Sequence, residues 1–176
     1  MTEQEFSHQI EEIANKEANK LAVFEKNLLA IVATYSAPLA KKLLEINTNE
    51  RFNLYTGKDP IDINIIAADG SRYMYENPVS DVEKQLESFE KAYSRYKALF
   101  IYGLGNGVLL KGILQNQTHK TIVVFEPEIE IIYIVLHLID FSAEITGSRL
   151  VIFQTDVMEF TDYYGIVVHK LHYICL

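Results

Sequence analysis

Apolar residues recur at helical spacing through the first third of the chain. Phe6, Ile10, Ile13, Leu21, Phe24 and Leu28 fall on one face of a helix. Thr2 and Glu5 have the spacing of a capping box, in which each side chain satisfies a backbone donor of the first turn. The pattern predicts one long helix, followed by a second helix that begins near Pro38 and ends near Glu45.

Residues 52–75 change to a β-prone composition. "DINII" and "RYMY" flank the segment "AADGS", whose Asp69-Gly70 pair tolerates positive φ. This arrangement predicts a β-hairpin that turns at Asp69-Gly70. Residues 52–55 are interpreted as a further strand.

From residue 80 onward, helical and strand patterns alternate. Ser80 and Glu83 have capping-box spacing and open a helix predicted over residues 81–94. Three apolar strands and two helices are predicted next: strand 98–102, helix 108–114, strand 121–126, helix 127–141 and strand 150–154. Short connections and continuous apolar strands predict a parallel sheet with helices on both faces. The fold class is α/β, with N-terminal helices and a β-hairpin followed by a Rossmann-like parallel βαβαβ sheet.

The changes of pattern divide the chain into three segments. These are a helical N-terminal arm over 1–51, a β-hairpin with a linking helix over 52–97, and a Rossmann-like domain over 98–176. The chain ends on the apolar stretch "GIVVHKLHYICL", as a sheet interrupted in its core would. We therefore expect an incomplete third segment, in an N-terminal piece of a longer protein or a truncated gene product. A final strand paired inside the sheet is the alternative.

Composition excludes several classes of function. A net charge of -8 and a pI of about 5.1 argue against binding to nucleic-acid backbones or anionic lipid. Cys175 is the only cysteine, so neither an internal disulfide nor a cysteine zinc site is expected, and the scattered histidines predict no metal site. The most apolar stretch is shorter than the roughly 20 residues of a membrane span, and the acidic N-terminus is no secretory signal. We expect a cytoplasmic protein without a membrane span.

The glycine-rich segment "YGLGNGV" between a predicted strand and a helix is the strongest chemical motif. Glycines there let backbone approach a phosphate, and the helix start offers free N–H groups. An acidic residue ends the next strand some 20 residues on, where such folds hold ribose hydroxyls, and another follows the third strand. The candidate ligand-binding residues are Gly103, Gly105, Asn106, Gly107, Glu126 and Asp156.

The motif departs from the known fingerprints. Val108 stands where a dinucleotide-binding fingerprint has its third glycine, and Ile101 stands where a methyltransferase motif has its acid. Glycines also serve any tight strand-to-helix turn, and we expect Gly105 to require positive φ. Glu126, just before Pro127, can simply oppose a helix dipole. A structural turn, a nucleotide or sugar-nucleotide site and a methyl-transfer site stay open, and no cofactor or catalytic residue is assigned.

The sequence resembles the motility accessory factor (Maf) family over roughly residues 52–153. An aromatic strand leads into G-x-G-x-G, "EP" ends the next strand, and a long apolar helix and "DFS" follow. The resemblance implies a glycosyltransferase that adds nonulosonic acids to flagellin, with flagellin or its glycosylation machinery as partner. Family members are several times longer and are thought to hold the transferase centre in a later domain. The resemblance therefore implies an N-terminal domain that is inactive by itself, and it carries over no catalytic residue.

Two other classes of function stay open. A small S-adenosylmethionine-dependent methyltransferase fits the glycine spacing but lacks the acid at position 101. A protein-interaction module would use the surface of the N-terminal helix to meet flagellin or another subunit. The oligomeric state is open, a homo-oligomer included.

Overall fold

The computed structural model describes residues 3–71, 74–161, 164–165 and 168, with only the backbone helix described for residues 3–14. In chain order the elements are α1 (Glu3–Thr34), α2 (Ala37–Leu44), β1 (Phe52–Thr56), β2 (Ile63–Ala67), α3 (Pro78–Tyr93), β3 (Ala98–Tyr102), α4 (Val108–Ile113), β4 (Thr121–Glu126), α5 (Ile129–Leu138), α6 (Ser142–Thr146) and β5 (Leu150–Gln154). The predicted α/β class is confirmed. In the described part of the chain, no helix combines the length and apolar character of a membrane span.

Both predicted N-terminal helices form, as α1 and α2. Phe24 is buried on α1, as predicted, whereas Leu21 is 54% exposed and does not belong to the buried face. The predicted capping residue Thr2 and the side chains at positions 6, 10 and 13 lie outside the described residues. Helix α2 begins next to Pro38 as predicted, because the Ser36 hydroxyl accepts a hydrogen bond from the Leu39 N–H (3.2 Å).

The hairpin turns at a different place from the one predicted. Strand β1 pairs antiparallel with β2, and the connection is residues 57–62. The Gly57 N–H donates to the Asp62 carbonyl (2.7 Å) and closes this connection. The turn at Asp69-Gly70 does form, with a φ of 71° at Gly70, but it ends β2. The Met74 N–H donates to the Ile65 carbonyl across this turn (3.0 Å), but no strand is assigned to residues 74–77, and the regular hairpin is the one between β1 and β2. Residues 72–73 of the predicted second strand lie outside the described residues.

Helix α3 begins at Pro78, three residues before the predicted start. The carbonyl oxygen of the Asn77 side chain accepts from the Ser80 N–H (3.2 Å), and the Asp81 carboxylate accepts from the Asn77 N–H (2.9 Å). Asn77 is therefore the capping residue, followed by proline in the first turn. The predicted capping box at Ser80 and Glu83 was wrong, because Ser80 already lies inside the helix.

The predicted helix over residues 127–141 is shorter in the structure, where α5 covers Ile129–Leu138, and a further short helix, α6, follows it at Ser142–Thr146. The Asp140 carboxylate accepts from the Ser142 N–H (2.9 Å) and from the Ser142 hydroxyl (2.6 Å). Local hydrogen bonds to an aspartate side chain compete with the backbone hydrogen bonds of a helix. Helix α5 therefore ends at Leu138, and α6 starts after Asp140.

The parallel sheet has the strand order β3-β4-β5. Right-handed crossovers that all progress in one direction place their helices on the same face of the sheet. That face carries Ile122, Val124 and Ile152, which share one core cluster with residues of α1, α2, α4 and α5. Helices on the opposite face stay a prediction, since residues between and beyond the last described ones are not described.

The opposite face of the sheet has its own small cluster. Val123, Val151 and Phe153 pack there with Tyr35 and Met158, which come from the end of α1 and from beyond β5. The main cluster of the other face draws residues from all three predicted segments of the chain. The boundaries at residues 51 and 97 stay a prediction, and the apolar end over residues 169–176 lies outside the described residues.

Asn27 fastens α1 to the helices that follow β4. It is fully buried, and its amide nitrogen donates to the carbonyls of Leu136 and Ile139, both at 2.8 Å. Its side-chain oxygen accepts from the Phe141 N–H, also at 2.8 Å. A single side chain thus satisfies three backbone groups where α5 ends.

Replacing Asn27 by an apolar residue of similar size tests this attachment. We expect Asn27→Leu to lower the free energy of unfolding by about 2–4 kcal/mol, because it leaves three buried backbone groups without partners. Urea unfolding followed by circular dichroism measures the change. Glu25→Leu, on the exposed side of the same helix, is the matched control and is expected to stay within about 0.5 kcal/mol. Equal effects of the two substitutions would contradict the attachment.

Candidate functional site

The glycine turn joins β3 to α4. Gly103, Gly105 and Gly107 have φ angles of 88°, 63° and 81°. These values lie in the left-handed region, which L-residues with a side chain adopt only at a cost. The positive φ predicted for Gly105 is confirmed, and the two neighbouring glycines share it.

Two of the three glycines also lack room for a side chain. A Cβ atom at Gly107 would lie 2.6 Å from a methyl carbon of Val135 and 2.9 Å from the Cδ1 atom of Ile139. One at Gly105 would lie 2.9 Å from the hydroxyl of Tyr75, whereas one at Gly103 would meet no atom within 4 Å. At position 107, packing against Val135 and Ile139 therefore adds to the backbone requirement for glycine.

Glu126 ends β4 beside the turn, as predicted, and is only 3% exposed. One carboxylate oxygen accepts from the Leu104 N–H at 2.7 Å. The other accepts from the Glu128 N–H at 2.9 Å. Glu126 therefore bridges the glycine turn and the connection between β4 and α5, and both its oxygens are bound by the protein's own backbone.

Burial raises the pKa of the Glu126 carboxyl above its ordinary value of 4.5. The two backbone hydrogen bonds oppose this shift, and the negative charge of Glu128 adds to it. A group whose pKa is higher in the folded state favours folding most below the unfolded-state pKa. This contribution of Glu126 declines as the pH rises through its folded-state pKa.

Asn106, the polar residue within the turn, is fully buried. Its amide nitrogen donates to the carbonyl of Ile63 (2.8 Å), and its side-chain oxygen accepts from the Val108 N–H (3.1 Å). Both ends of this predicted binding residue are thus engaged, one with β2 and one with the first residue of α4. Asn106 ties the turn to the hairpin.

Tyr75 is part of the site although sequence analysis did not identify it. Its hydroxyl accepts a hydrogen bond from the Asn106 backbone and lies where a side chain at Gly105 would extend. Burial raises the pKa of this hydroxyl above its ordinary value. Tyr75 lies thirty positions before Gly105 in the chain. No local motif connects it with the turn.

Asp156 lies at the same end of the sheet as Glu126 but is exposed. In the parallel register Glu126 pairs with Gln154, whose amide nitrogen donates to the Asp156 carboxylate (3.1 Å) and to the carbonyl of Pro127 (2.8 Å). Among the described residues, no group of three or more His, Cys, Asp or Glu side chains is placed to hold a metal ion. The structure thus brings the predicted acids to one edge without joining them in one polar cluster.

A cavity of about 250 Å³ adjoins the glycine turn on the helix-covered face of the sheet. Apolar side chains dominate its lining, with Tyr75 and the exposed Gln85 as polar members: Tyr75, Gln85, Ile101, Tyr102, Gly103, Leu104, Gly105, Leu109, Leu110, Ile113 and Val124. Its volume is below the roughly 300–1,000 Å³ of sites for small-molecule ligands.

The basic residue closest to the turn in sequence is engaged elsewhere. The Lys111 ammonium donates to the Asp140 carbonyl (2.7 Å) and to the Glu144 carboxylate (2.6 Å). The same group lies 5.3 Å from the centre of the Phe141 ring. Lys111 therefore ties α4 to α6 and is not directed at a ligand of the turn.

Comparison with known proteins gives a family match over part of the chain and a similar fold. Residues 71–156 match the family described as the glycosyltransferase Maf N-terminal domain. The Maf glycosyltransferase from Magnetospirillum magneticum AMB-1 is similar in structure, with a TM-score of 0.61 and 15% sequence identity. The similarity covers 86% of this chain and 29% of that one, so this chain spans under a third of that protein's length. No curated protein matches the chain. The resemblance to the Maf N-terminal domain is confirmed over the matched residues.

Alanine substitutions at two glycines separate packing from backbone strain. We expect Gly107→Ala to cost about 2–4 kcal/mol of unfolding free energy, since it combines a left-handed φ with overlap against Val135. Gly103→Ala is the matched control, because the φ is similar but the added carbon meets open space. Its expected cost is about 1 kcal/mol. Urea unfolding of both variants measures the difference, and a smaller loss at Gly107 than at Gly103 would contradict the packing.

Proposed function

Taking the match of residues 71–156 to the Maf N-terminal domain as the premise, we propose that the chain is the non-catalytic N-terminal domain of a flagellin-modifying glycosyltransferase. In this proposal a later domain of a longer protein performs the transfer. In this proposal the glycine turn has only a structural role, as the connection between β3 and α4. The single observation that carries the non-catalytic role is the engagement of both Glu126 oxygens by backbone N–H groups.

A donor site for an activated sugar requires several polar groups that converge on the departing nucleotide. At this turn the Glu126 carboxylate and the Asn106 amide are both occupied within the protein. The Lys111 ammonium is paired with Glu144, so it does not offset a phosphate charge. These contacts favour a structural turn over a nucleotide site.

The acceptor and the sugar come from the family resemblance. Members of the Maf family resemble enzymes that add nonulosonic acids, and we infer the same class of sugar and a flagellin acceptor for the protein that contains this domain. The methyl-transfer alternative gains no support from the turn, since Ile101 occupies the position of the anchoring acid and packs against the core.

Mass spectrometry of flagellin tests the proposal. Purified flagellin is incubated with a CMP-activated nonulosonic acid and the 176-residue chain, and in parallel with a full-length Maf glycosyltransferase. We expect a mass increase of whole sugar units only with the full-length enzyme, because the chain has no assembled donor site at its glycine turn. The full-length enzyme also shows that donor and acceptor are competent.

A sugar-sized mass increase with the 176-residue chain alone would contradict the proposal. Glu126→Gln would then be compared with Asp156→Asn, because these are the two acids at the carboxyl ends of the strands. Loss of transfer in the first variant alone would place the active centre at the turn.

A further inference from the structure

The glycine turn contains the only Asn-Gly pair of the sequence, Asn106-Gly107. In such a pair the backbone nitrogen of the second residue can attack the side-chain amide carbon of the first. Glycine favours this attack because it has no Cβ atom to obstruct the approach and its φ angle is the least restricted. The pair is therefore the point of the chain at which an asparagine converts most readily once the backbone is free to move.

The conversion is a hydrolysis in two steps. A hydroxide ion takes the proton from the Gly107 nitrogen, which bonds to the Asn106 Cγ atom, while the Cγ–Nδ2 bond breaks and Nδ2 takes a proton from water and leaves as ammonia. The product is a succinimide ring. Water then opens the ring at either carbonyl, which gives aspartate when the new Cγ–N bond breaks and isoaspartate when the original peptide bond breaks. Water is the only co-reactant, and no atom changes its oxidation state.

Three hydrogen bonds hold the reacting atoms in the folded chain. The Asn106 Nδ2 atom donates to the Ile63 carbonyl (2.8 Å), and the Oδ1 atom accepts from the Val108 N–H (3.1 Å). The Gly107 N–H donates to the Leu104 carbonyl (3.3 Å). Nδ2 leaves only after its bond to Ile63 is broken, and Gly107 loses its proton only after its bond to Leu104 is broken.

Water has no access to the same atoms. Asn106 is 0% exposed, and Gly107 is buried. The Tyr75 hydroxyl accepts from the Asn106 backbone N–H and covers this side of the turn, 2.9 Å from the position of a Cβ atom at Gly105. Because both steps need hydroxide or water at the amide, conversion requires that the turn opens.

We propose that Asn106-Gly107 is a latent deamidation site, which the fold keeps closed and whose conversion in an opened turn prevents that turn from closing again. The reaction needs no enzyme and marks chains in which the glycine turn has opened or has not yet folded. It does not depend on sugar transfer, because all its chemistry lies in the chain's own backbone and one side chain.

Neither product fits the closed turn. Aspartate at position 106 has no N–H to donate to the Ile63 carbonyl, so a carboxylate and a carbonyl oxygen would face each other in a buried site. Isoaspartate adds a carbon atom to the main chain, inside a turn in which Gly103, Gly105 and Gly107 all have positive φ. The conversion is therefore irreversible for the fold.

Incubation of the 176-residue chain at mildly alkaline pH tests the protection. An acetylated and amidated peptide of sequence GLGNGVL, residues 103–109, gives the rate of the unprotected pair in the same buffer. Mass spectrometry of proteolytic fragments follows the conversion of amide to acid, and chromatography separates aspartate from isoaspartate. We expect the folded chain to convert at least about tenfold more slowly than the peptide, since only molecules with an open turn react.

Tyr75→Phe tests whether the contacts of the turn set the rate. It removes the acceptor of the Asn106 N–H and keeps the ring. We expect conversion in the folded chain to rise about three- to tenfold, the range for loss of one hydrogen bond. Tyr55→Phe, at an exposed position of β1, is the matched control and is expected to leave the rate unchanged.

Asn106→Asp reproduces one of the products and tests its consequence for the fold. We expect this variant to lower the urea midpoint of unfolding, because the carboxylate cannot restore the bond to Ile63. Asn53→Asp makes the same change of charge at an exposed position of β1 and is expected to leave the midpoint nearly unchanged.

Three results would overturn the proposal. One is conversion of the folded chain at the rate of the peptide. Another is equal conversion of the Tyr75→Phe and Tyr55→Phe variants, which would show that the contacts of the turn do not protect the pair. The third is an equal urea midpoint for Asn106→Asp and Asn53→Asp, which would show that the deamidated turn still closes.

Discussion

The glycine turn depends on the hydrogen bonds that the Glu126 carboxylate accepts from the backbone. It binds the Leu104 N–H on one side and the Glu128 N–H on the other, so the turn after β3 and the turn after β4 are held together. With the turn held there, Gly107 lies against Val135 and Asn106 reaches the hairpin. A buried carboxylate is costly without hydrogen bonds, and these two bonds compensate for part of that cost.

The acidic start of α5 serves the backbone in a similar way. One Glu130 oxygen accepts from the N–H groups of Arg51 and Phe52, at 2.9 Å and 3.3 Å, and the Arg51 guanidinium pairs with the Glu128 carboxylate. These contacts attach β1 to the start of α5. The acids that follow β4 therefore organise the fold.

The sequence predicted the strands well and the turns less well. The parallel strands at residues 98–102, 121–126 and 150–154 have the predicted bounds, because each is a continuous apolar run between clear turn signals. The start of α3 was displaced because Asn77 and Ser80 are both good capping residues, and only the backbone geometry distinguishes them. The Asp69-Gly70 signal marked a real turn but could not specify which strand pairs with which.

The role of Glu126 is the clearest limit of sequence reasoning. An acid at the end of the second strand has the same position whether it holds a ribose or a backbone N–H group. The structure distinguishes these two roles. The backbone at Leu104 places an N–H group 2.7 Å from the Glu126 carboxylate. Tyr75 was missed for a related reason, since its contact with the turn is purely tertiary.

Engagement of the Glu126 carboxylate by the backbone of the glycine turn can be followed by an NMR pH titration of the Glu126 side-chain carboxyl and of the Leu104 and Glu128 amide protons, with Glu126→Gln to identify the transition. We expect the carboxyl to titrate above its ordinary value of 4.5 and both amide protons to shift in the same transition. A carboxyl that titrates at its ordinary value, with neither amide proton following it, would show that the backbone does not hold this carboxylate.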